Sequence, residues 1–285
     1  MPKLDFEAIY CSQILLMSWK FKIILSAVVL ASLMAALFHS FIRDGDSRDK
    51  RLTVYAAASL QAPLKQLADA YEHSHGVGVR MNYGSSGELE ARLRLQAKLG
   101  SAQADIYIPA DESFSKKSFS DGLTEEAISI ASFRLVLATS LGEHTQIDSL
   151  RELATKAPGY VICSPLAGAG RVTEISLRRM GIFEEIKSGA KAIMPTVTEA
   201  AQAVKGSEEI LYGIIWSSTA AQFGLDIIDT AELNLSRTQV TAARVSGSDQ
   251  KGDAQKFLEF LADPENSVAV FTQFHFEPVI SADSH

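Results

Sequence analysis

The chain predicts an α/β protein of two lobes built on mostly parallel sheets. Short apolar runs of strand character alternate with segments of helical period, the pattern of βα units. Four times a strand passes through a loop of small or hydroxyl residues straight into a helix. The chain has 285 residues, 47% of them hydrophobic and 21% charged, enough to bury a core for two lobes.

Residues 1–22 are mixed and carry Lys20 and Lys22 at their end. An apolar run follows from Ile23 to Phe38 and extends to Ile42 across His39 and Ser40, about the length that spans a bilayer. The segment after it is polar. This layout is that of an export signal or an uncleaved anchor, so residues 1–50 are assigned to a leader plus linker. Met17 offers a second start, with MSWKFK as a compact basic flank. Phe38, His39 and Phe41 leave no small-x-small cleavage site, and Cys11 lies upstream of the run, so there is no lipobox.

The folded part begins near Leu52. Leu52–Tyr55 is a buried strand, and Leu60, Leu64, Leu67 and Tyr71 then recur at helical spacing. Ser59 falls where an N-cap belongs, and Pro63 is early enough to be tolerated. Val77–Tyr83 alternates as a second strand. Gly84–Gly87 is a turn, and Glu88–Leu99 is a helix in which Ser85 and Glu88 have capping-box spacing. Ala104–Asp111 is a third strand, followed by a helix ending at Gly122. Ser132–Ser140 is a long apolar fourth strand, and residues 147–159 form a short helix and turn. Tyr160–Cys163 is a strand that feeds the Gly168-Ala169-Gly170 loop and a helix faced by Val172, Ile175, Leu177 and Met180. Thr196 and Glu199 form a second capping box. Ile210–Trp216 is a strong strand ending at Ser217-Ser218. LDIID and Val240–Ser246 are further strands, and two closing helices flank Asp263-Pro264.

The formal net charge of −7 argues against a general nucleic-acid binder. Signatures of nucleotide-binding, serine-hydrolase and zinc-protease chemistry (GxGxxG, the Walker loop, GxSxG, HExxH) are absent from the sequence. Cys11 and Cys163 make neither a disulfide framework nor a metal cluster, and Cys163 reads as a small buried residue. Of the six histidines, His73 and His75 are close together, at a solvated helix end. The four helix starts are the chemical signal. Ser59, Ser85-Ser86-Gly87, Gly168-Ala169-Gly170 and Thr196-Val197 each present free N–H groups at the positive end of a helix. If they converge, they bind an oxyanion with neutral donors alone, which suits a fully ionised anion such as molybdate or sulfate. A protonated anion would also need an acceptor. Trp216 at a strand end reads as core or contact, and Arg171 as an anion partner or a solvated side chain.

Five stretches together resemble the periplasmic molybdate-binding proteins of ABC transporters: YAAASL (55–60), YGSSGELEARL (83–93), ADIYIPAD (104–111), SPLAGAG (164–170) and FLEFLADPENSVAVFTQFHF (257–276). The resemblance covers about residues 52–276. It implies a type II periplasmic binding protein: two α/β lobes joined by two crossing strands, with the ligand cleft between them. Residues 51–134 and 232–285 would form lobe 1, and residues 135–231 lobe 2. Carried over by motif, the oxyanion ligands are Ser59, Ser86, Ala169, Val197 and Trp216, the last at the place of the family's tyrosine. The metal would be held through the oxyanion's oxygens, with no direct metal ligand, no cofactor and no catalytic residue. Two further departures are Ser217-Ser218-Thr219, where the family usually has an aspartate, and His275 in place of a glycine. The implied protein is a monomer. It is periplasmic or extracytoplasmic, with residues 23–42 as an anchor if they are not cleaved, and it hands molybdate or isosteric tungstate to an ABC permease. The alternatives are a carrier of another oxyanion such as sulfate, or a membrane-anchored sensor or interaction domain of the same fold.

Overall fold

The computed structural model describes residues 51–140, 147–234 and 236–279, together with Leu30, Ser32 and Met34. Apart from those three helical, exposed residues, the apolar run 23–42 and its role as leader or anchor lie outside the described residues. Among the described residues no helix is long and apolar enough to cross a membrane. Met1–Lys50 and Arg51–His285 are separate units, and the second holds both sheets.

The chain forms β1 (Arg51–Ala57), a 3-10 turn (Ala58–Leu60), α1 (Gln61–His75), β2 (Gly78–Gly84), α2 (Ser86–Lys98), β3 (Ile106–Ile108), α3 (Glu112–Ser120) and β4 (Ile128–Phe133). It continues through β5 (Leu135–Thr139), α4 (Leu150–Lys156), β6 (Tyr160–Cys163), α5 (Gly168–Arg179), α6 (Phe183–Gly189), β7 (Ala192–Met194), α7 (Val197–Gly206), β8 (Tyr212–Trp216), α8 (Ser217–Phe223) and β9 (Asp226–Ile228). It closes with β10 (Thr238–Arg244), α9 (Lys251–Ala262) and α10 (Pro264–Gln273).

Two five-stranded sheets result, with strand orders β2-β1-β3-β10-β4 and β7-β6-β8-β5-β9. The βα units run parallel: β1 with β2 and β3, and β6 with β7 and β8. β10 runs antiparallel to β3 and β4, and β5 to β8 and β9. The sheets are therefore mixed rather than mostly parallel. In each sheet one strand is reversed against the other four, β10 in the first and β5 in the second, and each is the first strand after the chain crosses from the other sheet.

The expected single strand Ser132–Ser140 is two strands in different sheets, with Arg134 between them. A continuous apolar run carries no mark of a change of sheet, because both halves are buried. The return crossing lies beside it. The buried hydroxyl of Ser236 accepts a hydrogen bond from Leu135 N–H at 3.0 Å and donates to the Leu233 carbonyl at 2.6 Å, so the two crossings are tied to each other. Aromatic packing spans the same junction. Phe133 of the first sheet lies 4.2 Å from Trp216 of the second, ring centre to ring centre, and 5.3 Å from Phe276.

The helices cover the sheets with the faces the periodicity predicts. α1 buries Leu64, Leu67 and Tyr71, and α9 buries Phe257, Leu258 and Leu261, with Tyr71 and Phe257 edge to face at 4.8 Å. α7 buries Val197, Ala200, Ala201 and Val204. The segments α6, β7 and α8 were not expected; at seven, three and seven residues they are too short for a periodic signal. Ser217 opens α8 instead of ending a strand, β8 starts at Tyr212, and β10 lies two residues earlier than its alternation suggests.

Capping follows the sequence in part. Thr196 and Glu199 make the full reciprocal box, and Asp263 caps α10 ahead of Pro264. Ser59 is not an N-cap: Ala57 and Leu60 hold those positions, because a 3-10 turn precedes α1. Ser85 holds the cap position of α2, but its hydroxyl meets the Glu88 carboxylate at 3.3 Å rather than a helix N–H.

His275 has φ +62°. It sits just past the end of α10 in a Schellman arrangement: Phe276 N–H reaches the Phe271 carbonyl at 2.9 Å, and His275 N–H reaches that of Thr272 at 2.9 Å. The Phe271 and Phe276 rings pack at 5.4 Å and complete the motif. A left-handed residue with a Cβ is strained, so His275→Gly stabilises the fold by about 0.5–1 kcal/mol. A rise in the urea midpoint checks it, and an unchanged or lower midpoint refutes it.

Candidate functional site

Six chain segments meet in one small pocket, four of them strand-to-helix turns. Its walls are Ala57, Ala58 and Ser59 at the end of β1 and just past it; Gly84, Ser85 and Ser86 at the end of β2 and just past it; Ala110 after β3; Ala167, Gly168 and Ala169 at the start of α5; Thr196 and Val197 at the start of α7; and Trp216 at the end of β8. The space is about 230 Å³ including its mouth. All five residues singled out in the sequence, Ser59, Ser86, Ala169, Val197 and Trp216, line it. The first two come from units of the first sheet and the last three from units of the second, so the pocket lies between the sheets.

Each wall is the C-terminal end of a strand or the helix start that follows it, where N–H groups lack helical acceptors. The first backbone bonds to residues four earlier are made by Leu89, Arg171 and Ala200. The N–H groups of Ser86, Ala169 and Val197 therefore precede the helical ladders. Helix α7 packs against the Ala58–Leu60 turn.

The side chains add donors. Ser59 Oγ and Trp216 Nε1 are buried with no hydrogen-bond partner among the described residues. A buried, unpaired polar atom costs roughly 1–3 kcal/mol, and such atoms in a fold call for an explanation. Ser86 is placed from two sides: Tyr107 donates its hydroxyl to the Ser86 carbonyl at 2.8 Å, and Ser86 Oγ accepts Ala110 N–H at 3.2 Å. That acceptance leaves the Ser86 hydroxyl hydrogen to point elsewhere. Burial pushes the Tyr107 phenol well above its ordinary range, so it stays a donor. The hydroxyls of Ser217, Ser218 and Thr219 are also buried and unpartnered but do not line the pocket.

No lining residue is ionisable. Arg171, a candidate anion partner, is exposed, sits 4.0 Å from Glu174, and is not in the wall. Asp111 follows Ala110 but faces away, accepting Ser113 N–H at 3.1 Å as the cap of α3 and the Thr238 hydroxyl at 2.9 Å. Burial raises its pKa. No cluster of His, Cys, Asp or Glu among the described residues could hold a metal ion. Such a site can surround a small anion with neutral dipoles; it has no group to move a proton.

Ala110 had not been expected in the wall. It lies two residues past the end of the short strand β3 in the ADIYIPAD stretch, and its position after a strand was the available signal. Cys163 lies at the end of β6, fully buried, and burial pushes its thiol up to about 12. It is therefore a neutral thiol at physiological pH. Alkylating reagents at pH 8 should leave it unmodified in the folded protein and modify it in denaturant, as read by peptide mass mapping. Modification of the folded protein at the same rate would contradict this burial.

Residues 52–277 match the family model described as bacterial extracellular solute-binding protein. One relative, YvgL of Bacillus subtilis (strain 168), is described as a putative ABC transporter substrate-binding lipoprotein. It is 22% identical over 262 residues, 90% of this chain and 98% of that one. Among solved structures, the periplasmic molybdate-binding protein of Azotobacter vinelandii superposes with a TM-score of 0.65 at 18% identity, covering 81% of this chain and 99% of that one. The periplasmic binding protein AfuA of Actinobacillus pleuropneumoniae, with fructose-6-phosphate bound, superposes with a TM-score of 0.70 at 14% identity, covering 81% and 84%. At these identities the likeness establishes the fold, and the two ligands differ widely in size.

Proposed function

The chain belongs to the bacterial extracellular solute-binding protein family and has the type II periplasmic binding protein fold; on that premise we propose that it captures a small tetrahedral oxyanion, molybdate or isosteric tungstate, and delivers it to an ABC permease. The observation that carries this reading is the pair of buried donors without a partner among the described residues, Ser59 Oγ and Trp216 Nε1, on two residues that line one pocket from opposite sheets. An anion there completes the hydrogen bonding of both and receives the N–H groups of four turns.

The size and chemistry of the pocket support the choice of ligand. Leaving out its open mouth, the pocket has room for little more than a water-sized group, so a compact ligand suits it and a drug-sized one does not. The walls donate and carry no carboxylate or histidine to accept a ligand proton, which favours an anion fully ionised at neutral pH. Each charge-assisted bond contributes roughly 1.5–3 kcal/mol. The permease partner rests on the family and on the likeness to YvgL. An extracytoplasmic location rests on the family together with the apolar run 23–42.

Calorimetry and thermal melts with molybdate, tungstate and sulfate test the proposal. At about 100 times its dissociation constant, a bound anion stabilises the protein by roughly 2.7 kcal/mol. No shift with any of the three would sink it, and a shift with sulfate alone would move the assignment to that anion. Because no wall residue titrates, molybdate affinity should stay flat between about pH 6 and 9. A sigmoidal loss across that range would mean that an ionisable group takes part.

A further inference from the structure

Gly168, in the pocket wall, and Gly87, next to the wall residue Ser86, meet the opposite lobe at contact distance. Gly87 N–H donates to the Leu166 carbonyl at 2.7 Å, a backbone bond between a helix of the first sheet and a loop of the second. A Cβ on Gly87 would stand 3.0 Å from that carbonyl oxygen and 3.2 Å from Leu166 Cα. On the other lobe, a Cβ on Gly168 would stand 3.0 Å from Ala110 Cβ and 3.1 Å from the Ala110 carbonyl carbon. Neither glycine has positive φ. Both open α-helices, where alanine is the better helix former. Backbone freedom therefore does not explain them; the close approach of the other lobe does.

We propose that Gly87 and Gly168 set how far the two lobes close, and through that limit select small oxyanions over larger phosphate esters. The two contacts lie on opposite lobes and beside the wall residues Ser86 and Ala169. When both form, the wall residues of the two lobes converge on one small pocket, which leaves room for a compact anion and none for a bulkier ester. A phosphorylated sugar would hold the lobes apart, so that the Gly87–Leu166 bond could not form, and it would be released. The two glycines are positioning residues: they touch the opposite backbone and act on the ligand through the donors they bring together. The choice of anion rests on the function proposed above, whereas the closure contact itself does not.

The test compares the full chain with its Gly87→Ala and Gly168→Ala variants. Tungstate dissociation by stopped flow should accelerate at least about tenfold in each, with affinity falling in step. The unfolding midpoint of each empty variant should equal or exceed that of the parent, which separates a closure defect from a folding defect. Fructose-6-phosphate should gain ground against tungstate in both variants. Unchanged tungstate dissociation in both variants overturns the proposal. If the parent itself binds none of molybdate, tungstate or sulfate, the proposed function fails, and the closure contact is decided by hydrogen exchange on the empty chain. A Gly87 amide protected in the parent and exposed in Gly168→Ala supports the contact. Any other pattern overturns it.

Discussion

Ser59→Ala should weaken molybdate binding by about ten- to a hundredfold while leaving the empty protein at least as stable as before. The two effects have opposite signs because they come from the same atom. Ser59 Oγ is buried and has no partner among the described residues, so its removal breaks no protein hydrogen bond of the empty fold. Removing it costs the empty protein nothing and removes one charge-assisted bond from the complex. Titration calorimetry and a denaturant melt on the same preparation check both halves. Unchanged affinity removes Ser59 from the site. A fall in empty-state stability of more than about 1 kcal/mol shows the hydroxyl to be a structural partner instead.

Trp216→Ala should be the most damaging single change, costing about 3–5 kcal/mol of stability and abolishing binding. The indole is fully buried and packs on Phe133 across the junction of the two sheets, so its loss leaves a cavity where they meet. Trp216→Phe separates the roles: much of the ring stacking survives and the indole N–H does not. That variant should fold with a modest loss of stability and bind molybdate about tenfold or more weakly. Full affinity in Trp216→Phe would show the indole to be packing alone.

How much of this was legible in the sequence depended on the range of each signal. The βα units were legible because helical period and strand alternation are local; β6 and the capping box at Thr196 came out as expected. The helix starts were legible for the same reason, and Ser59, Ser86, Ala169, Val197 and Trp216 share one pocket. Their convergence was not legible from local pattern, since it depends on which strand lies beside which. It rested on the resemblance alone. The step at Arg134 was hidden inside an apolar run, and β10 joins the first sheet from more than a hundred residues beyond β3. His275 was noted in sequence as a substitution for glycine, and its positive φ supplies the physical reason that a glycine belongs there.

Trp216 also has an optical consequence. The chain contains two tryptophans, and Trp216 is the one within Arg51–His285. Tryptophan emission from residues 51–285 therefore comes from an indole in the wall of the pocket, its N–H without a partner among the described residues and its ring packed at a tilt on Phe133. An anion accepting that hydrogen bond changes the electric field on the excited indole and the rigidity of its surroundings. The protein thus carries its own fluorophore at the point where the ligand would arrive, and a shift in emission would report occupancy without any added dye.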